Sequence, residues 1–186
     1  MLFKHNLRYF LLPCGIIAIA IFVQWMDIDI RYSRAGIENG EYWRLVTAHF
    51  VHLSWNHMWL NALSLLIIWE LAAKSYRFGW IIICGFGMSL GLWLFSPQVI
   101  WYVGLSGILH GLLAATAWQR YPILLVLLMV KLVWEQLYGA LPATANLTGG
   151  TVIVDAHLYG AVIGICLQII TNLSSLNVIK KVMNPP

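Results

Sequence analysis

The chain has 186 residues, 61% of them hydrophobic and only 10% charged, against about a quarter charged in soluble proteins. That balance excludes a soluble enzyme, a nucleic-acid module and a disordered scaffold, because a soluble domain of this size needs far more polar surface. The net charge of +4, from 11 Lys and Arg against 7 Asp and Glu, suits basic loops facing anionic lipid and gives no sign of a nucleic-acid partner.

In chain order, apolar runs fall at about residues 7–25, 57–73, 78–97, 105–120, 121–141 and 152–172, each near the roughly 20 residues a spanning helix needs. The expected fold is an all-α membrane protein, one domain over residues 1–186 with six transmembrane helices. Lys4 and Arg8 ahead of the first run imitate a secretory signal, but no small-x-small cleavage site follows, so the run is read as the first helix. The first loop, residues 26–56, mixes Asp27, Asp29, Arg31, Arg34, Glu38, Glu41 and Arg44 with Tyr32, Tyr42, Trp43 and Trp55. Such a mixture belongs at the membrane interface, with short surface helices. Cys14, Cys84 and Cys166 sit inside apolar runs at no metal-binding spacing and read as buried thiols. A cytoplasmic amino terminus puts Lys4, Arg8, Lys74, Arg77, Arg120, Lys180 and Lys181 on the inner side, as the positive-inside rule favours. Both termini are then cytoplasmic, and helices two, four and six all begin in the outer leaflet.

At those beginnings stand Gly104-Leu105-Ser106-Gly107 and, in helix six, His157. Ser106 lies fourteen residues before Arg120, about 21 Å in a hydrocarbon core about 30 Å thick. Helix four should therefore start below the outer surface, where free N–H groups are tolerable only beside a watery cavity or a site. A serine there can act as a nucleophile, because those N–H groups and the helix dipole stabilise a developing oxyanion. The alternative for Ser106 is simple small-residue packing. Gly107 with Gly111, and Gly160 with Gly164, allow helices four and six to approach closely, so that His157 can meet Ser106 as its base. Asp155 is two residues from His157 and shares no face with it, so a dyad is expected rather than a triad. His57 and Asn61 share a face of helix two and could donate to the oxyanion with the Ser106 amide, or merely satisfy polar groups in lipid.

The ordered set Trp43-Arg44, His52, His57-x-x-x-Asn61, Gly104-x-Ser106-Gly107 and Ala156-His157-x-x-Gly160-x-x-x-Gly164 resembles the bacterial rhomboid intramembrane serine proteases. The resemblance implies a six-helix rhomboid-like bundle with an interfacial first loop. It implies Ser106 as nucleophile, His157 as general base and acid, and His57, Asn61 and the Ser106 amide as the oxyanion hole. Trp43, Arg44 and His52 would brace the fold from the first loop. Helix five would be the lateral gate, with Trp134, Leu137 and Tyr138 as gate contacts. The setting implied is a bacterial inner membrane, with the site open to the periplasm and transmembrane proteins as substrates.

One position departs from the family pattern: where rhomboids commonly carry a tyrosine four residues after the serine, this chain has His110. The string Ser106-Gly-Ile-Leu-His110-Gly and the compact size resemble the rhombosortase subfamily. That subfamily is paired with proteins ending in Gly-Gly, a hydrophobic helix and a basic tail. Helical side chains lean toward the amino terminus, so His110 is expected to point up toward Ser106 and to pack against or bond His157. No metal or cofactor is expected, since there is no H-E-x-x-H, although His49 and His52 form an H-x-x-H pair. Glu70 with Lys74, and Lys131 with Glu135, stand at ion-pair spacing. The competing reading is a haem-binding electron carrier with His57, His110 and His157 as axial ligands; it leaves Ser106 and Asn61 unused.

Overall fold

The computed structural model describes residues 7–72 and 78–183, without the side chains of residues 176–183. Lys74, and with it the expected Glu70–Lys74 pair, lies outside the described residues. The chain is a helical bundle. A 3-10 turn, Leu7–Phe10, leads into α1 (Leu11–Trp25). The first loop follows, with β1 (Tyr32–Ser33), α2 (Arg34–Glu38) and α3 (Arg44–Thr47). Then come α4 (Trp55–Ala72), α5 (Phe78–Phe95), β2 (Trp101–Tyr102) and α6 (Ser106–Arg120). The chain ends with α7 (Pro122–Tyr138), α8 (Pro142–Thr148) and α9 (Val154–Met183).

Among the described residues, three stretches can cross a membrane by length and composition alone: Arg8–Trp25, Phe78–Phe95 and Val154–Ser175. The pair α7 and α8, bent by 82°, would make a fourth. This is fewer than the six spans expected from hydropathy, for physical reasons. Helix α4 carries His57, Asn61, Ser64 and Glu70, and α6 begins at Ser106, which leaves it 15 residues. Outward faces are largely apolar, with Phe22, Ile67, Ile83, Val126 and Ile170 exposed, as lipid-facing helices require. Cys14 and Cys166 are exposed as well, so only Cys84 is the buried thiol expected of all three.

Two boundaries differ from expectation. Helix α7 stops at Tyr138 because Gly139 takes φ 82°, a glycine end. Pro142 then starts α8, so the stretch between the fifth and sixth apolar runs is partly helical. Helix α9 continues to Met183, past the expected end near residue 172, since neither Gly nor Pro stands between residue 172 and Pro185.

Helix α6 is the centre, packed most extensively on α9 and flanked by α4, α5 and α7. A Cβ added to Gly160 would overlap the Gly107 carbonyl, and one on Gly164 would overlap that of Gly111. Both partner numbers rise together, so the two helices run parallel with their backbones in contact. The first loop is pinned by antiparallel pairing of Tyr32 with Tyr102 and of Ser33 with Trp101. Arg34 adds to this by donating to the carbonyls of Trp93 and Leu92 (each 2.9 Å), Ser96 (3.0 Å) and Val99 (3.3 Å). Those oxygens include the orphan acceptors at the carboxy end of α5. Arg44 donates to the Arg31 carbonyl at 2.9 Å and pairs with Glu41. These contacts tie Arg44 into the first loop, whereas the Trp43 side chain is exposed.

Gly160→Ala should destabilise the protein by about 1 to 3 kcal/mol, the usual range for overpacking, and lower its thermal unfolding midpoint in detergent. Gly15→Ala, where an added Cβ meets nothing within 4 Å, should leave the midpoint unchanged or raise it. Equal midpoints for the two variants would remove the close α6–α9 contact as the basis of the packing.

Candidate active site

Ser106 is the first residue of α6, with no side-chain cap on that helix. Its Oγ lies 3.1 Å from His157 Nε2, contributed by α9. The turn before the helix needs Gly104 for two reasons. Its φ is 116°, a region L side chains avoid, and a Cβ there would sit 2.8 Å from His57 Cε1. The turn is held by Gly104 N–H to the Ala48 carbonyl at 3.1 Å and by the Tyr102 hydroxyl, which donates to the Gly104 carbonyl at 2.7 Å. Tyr102 also accepts from Gly107 N–H at 3.4 Å, and its burial pushes the hydroxyl pKa up to about 12. Sequence reasoning missed Tyr102. Only the short pairing with the first loop brings it under the serine.

The pair opens on a cavity of about 300 Å³ lined by His57 and Asn61 of α4, Ser106 and His110 of α6, Lys131 of α7 and Thr148 of α8, among others. His57 Nδ1 accepts from Leu53 N–H at 3.3 Å, which leaves its other ring nitrogen as the N–H donor. Asn61 is buried, and its Nδ2 has no hydrogen-bond partner among the described residues. A buried amide donor left unpaired is costly, commonly about 1 to 3 kcal/mol, so the arrangement fits a group that a bound molecule completes. Ser54 accepts from His57 N–H at 3.1 Å and donates to the Thr148 carbonyl at 2.8 Å, tying α8 to the start of α4 over the cavity.

His110 meets the expectation of a contact with His157: the rings stack with centroids 4.0 Å apart at 14°. His110 Nδ1 bonds the Ser106 carbonyl at 2.7 Å, and Lys131 Nζ donates to His110 Nε2 at 3.0 Å. Lys131 pairs with Glu135 at 2.7 Å, as its spacing implied. Glu135 also meets His157, with Oε2 at 2.9 Å from Nδ1, a contact no local spacing announces. Asp155 is directed elsewhere: it accepts from Ser96 Oγ at 2.5 Å and Gln98 Nε2 at 3.1 Å. His110, Glu135 and His157 offer three metal-ligand atoms within 4.8 Å of one another, but the Lys131 ammonium already supplies the cation between two of them. Axial haem ligands approach an iron from opposite faces of the macrocycle, and two rings stacked at 4.0 Å cannot do so.

The gate residues divide. Trp134 and Tyr138 lie three and seven positions after Lys131, on its stripe of α7, and their rings pack 4.7 Å apart. Leu137 instead lines a groove between α7 and α9 with Leu158 and Val162. Among the described residues, α7 packs chiefly on α6 and α9, whereas α4 packs chiefly on α6, α1 and α8.

His49 and His52 do not act as a pair. His49 meets the Gly104 carbonyl at 3.4 Å and Ser89 Oγ at 3.3 Å. His52 packs edge-on against His57, and neither of its ring nitrogens has a hydrogen-bond partner among the described residues.

The fold and this cavity define a multi-pass membrane protein with a serine–histidine pair in which the histidine is buried and the serine half-buried. Residues 39–173 match the rhomboid domain, and the chain belongs to the rhomboid family, whose members are in general intramembrane serine proteases acting on membrane proteins in the bilayer. Among its relatives is "Rhomboid-like protein 11, chloroplastic" of Arabidopsis thaliana, 34% identical over 143 residues, which cover 68% of this chain and 51% of that protein. Another is "Putative rhomboid protease YdcA" of Bacillus subtilis (strain 168). It is 30% identical over 95 residues, covering 48% of this chain and 47% of its own length. The chain thus spans about half the length of these curated relatives.

Burial holds the His52 pKa at about 3, below the usual 6.5, with the neighbouring His57 charge acting in the same direction. The folded protein therefore needs His52 neutral, while the unfolded chain takes up a proton below pH 6.5. Stability from this site is full above pH 6.5 and is lost as the pH falls from 6.5 toward 3. Unfolding midpoints measured across that window should fall with acid, and fall less steeply in His52→Phe. An identical slope in both proteins would contradict the assignment.

Proposed function

We propose that the chain is an intramembrane serine endopeptidase in which Ser106 is the nucleophile, His157 the general base and acid, and His57, Asn61 and the Ser106 amide the oxyanion donors. The observation that carries the reading is the 3.1 Å approach of Ser106 Oγ to His157 Nε2 at the head of α6, beside a buried Asn61 amide nitrogen with no partner among the described residues. In the first step the Ser106 Oγ–H proton passes to His157 Nε2 while an oxygen electron pair forms the bond to the scissile carbonyl carbon. The carbonyl π pair moves to its oxygen, and the oxyanion accepts from the donors on α4 and at the start of α6. The oxyanion then collapses, the C–N bond breaks, and the His157 Nε2 proton goes to the leaving amine. Water repeats the sequence on the acyl-enzyme: its proton goes to His157, the Ser106 ester bond breaks, and the proton returns to Ser106 Oγ.

On this reading α1, α4, α5, α6, α7 and α9 are six spans of one bundle. Both termini are cytoplasmic in a bacterial inner membrane, and the cavity faces the periplasm. Helix α6 starts below the outer surface, so its shortness is part of the site rather than an obstacle to spanning. Substrate reaches Ser106 between α4 and α7, past Trp134 and Tyr138. The top of a transmembrane substrate must unwind to present a carbonyl, and glycines there lower the cost. His110 four residues after the serine supports the rhombosortase subfamily, with substrates ending in Gly-Gly, an apolar helix and a basic tail.

The test is cleavage of a fusion protein carrying such a tail, reconstituted with the enzyme in liposomes. Ser106→Ala and His157→Ala should each lower kcat at least about 1,000-fold, and Asn61→Ala on the order of 100-fold. In the same assay Trp134→Ala with Tyr138→Ala should speed cleavage of the membrane fusion and leave that of a short soluble peptide unchanged. Wild-type turnover in Ser106→Ala would overturn the mechanism, and equal effects on both substrates would overturn the α4–α7 access route.

A further inference from the structure

Glu135 is 1% exposed, on the inward stripe of α7 with Leu128 and Leu132. A carboxylate buried in a membrane bundle is costly unless both of its oxygens are engaged, and here each has its own cation or donor. Oε1 faces Lys131 Nζ at 2.7 Å, and Oε2 faces His157 Nδ1 at 2.9 Å. Following the contacts onward, Lys131 reaches His110 Nε2 at 3.0 Å, and His110 Nδ1 reaches the Ser106 carbonyl at 2.7 Å. The contacts thus close a ring from the serine backbone, through α6 and α7, to the histidine on α9 and back to Ser106 Oγ.

We propose that Glu135 is a positioning residue for His157, so that the site works as a Ser106–His157–Glu135 triad whose carboxylate comes from α7. The inference deepens the mechanism above and rests on Ser106 and His157 being the reacting pair. An ionised carboxylate can only accept, so the proton on His157 is held at Nδ1 and Nε2 is left with a lone pair for the serine. In the other tautomer an N–H would face Ser106 and no base would be present. When His157 takes the serine proton at Nε2, Nδ1 keeps its own, no proton passes to Glu135, and the carboxylate faces the new positive charge across 2.9 Å. The Lys131 ammonium supplies the countercharge for the carboxylate at rest. His110, stacked on His157 and anchored to the Ser106 carbonyl, limits rotation of the base and holds Lys131 in place. Helix α7 must then stay seated during the chemical step, which fits access by side-chain clearance at Trp134 and Tyr138 rather than by displacement of the whole helix.

The experiment measures kcat, KM and unfolding midpoint for the full chain with the liposome fusion substrate. Glu135→Gln should lower kcat about 100-fold or more, as loss of an orienting carboxylate does elsewhere, with KM within about twofold of wild type. Glu135→Asp, which keeps the carboxylate one methylene shorter, should recover part of the loss. Lys131→Leu combined with Glu135→Leu removes both charges and keeps a packed core, so it controls for folding. The triad predicts near wild-type stability for this double variant, with kcat as low as in Glu135→Gln. A purely structural ion pair predicts wild-type kcat in the folded double variant. That result, or unchanged kcat in folded Glu135→Gln, overturns the triad while Ser106→Ala remains inactive. Turnover in Ser106→Ala would overturn the underlying dyad instead.

Discussion

Contact between the backbones of α6 and α9 is the constraint on which the rest of the molecule depends. In lipid there is no hydrophobic force between helices, so association relies on close packing and on polar contacts. Gly107 and Gly111 against Gly160 and Gly164 remove the side chains that would keep the helices apart. That approach, repeated over one helical turn, fixes the register. It sets Ser106, one residue before the first glycine of its pair, opposite His157, three residues before the first glycine of the other. A wider spacing would leave both side chains where they are in sequence and separate them in space.

The second constraint is the account of polar groups in a low-dielectric bundle. His157, Glu135, His57 and Asn61 are all buried, and hydrocarbon offers them no solvent. Most are satisfied within the bundle: His57 by Leu53, His157 by Ser106 and Glu135, and Glu135 by Lys131 and His157. Among the described residues, the Asn61 Nδ2 is buried and has no hydrogen-bond partner. A buried donor held in place beside the cavity has the form of a preorganised site, where the reorganisation cost is met in folding rather than in the reaction.

How much of this was readable from the residues depends on distance along the chain. Ser106 at a helix start, the His57–Asn61 face and the glycine pairs follow from spacings of one to four residues, and helix periodicity turns such spacings into geometry. The stacking of His110 on His157 was foreshadowed by the lean of helical side chains. What stayed hidden depends on contacts between residues far apart in sequence. Glu135 reaches His157 across 22 positions, Arg34 reaches the end of α5 across about 60, and Tyr102 enters the site only because β1 and β2 pair. Hydropathy also missed α8: an apolar run ending near residue 141 does not reveal that the chain, after a bend of 82°, continues as another short helix from Pro142. The expected dyad was reasonable along one helix, where Asp155 shares no face with His157. The carboxylate that meets His157, Glu135, stands on another helix altogether.

The most direct measurement of the central claim, that Ser106 is a nucleophile activated by its surroundings, is covalent labelling with a fluorophosphonate followed by mass spectrometry of the modified peptide. The account predicts a single phosphonyl adduct on Ser106, formed by the folded protein and lost once it is thermally unfolded. An adduct on another serine, such as Ser89 or Ser96, or equal labelling of folded and unfolded chains, would contradict it.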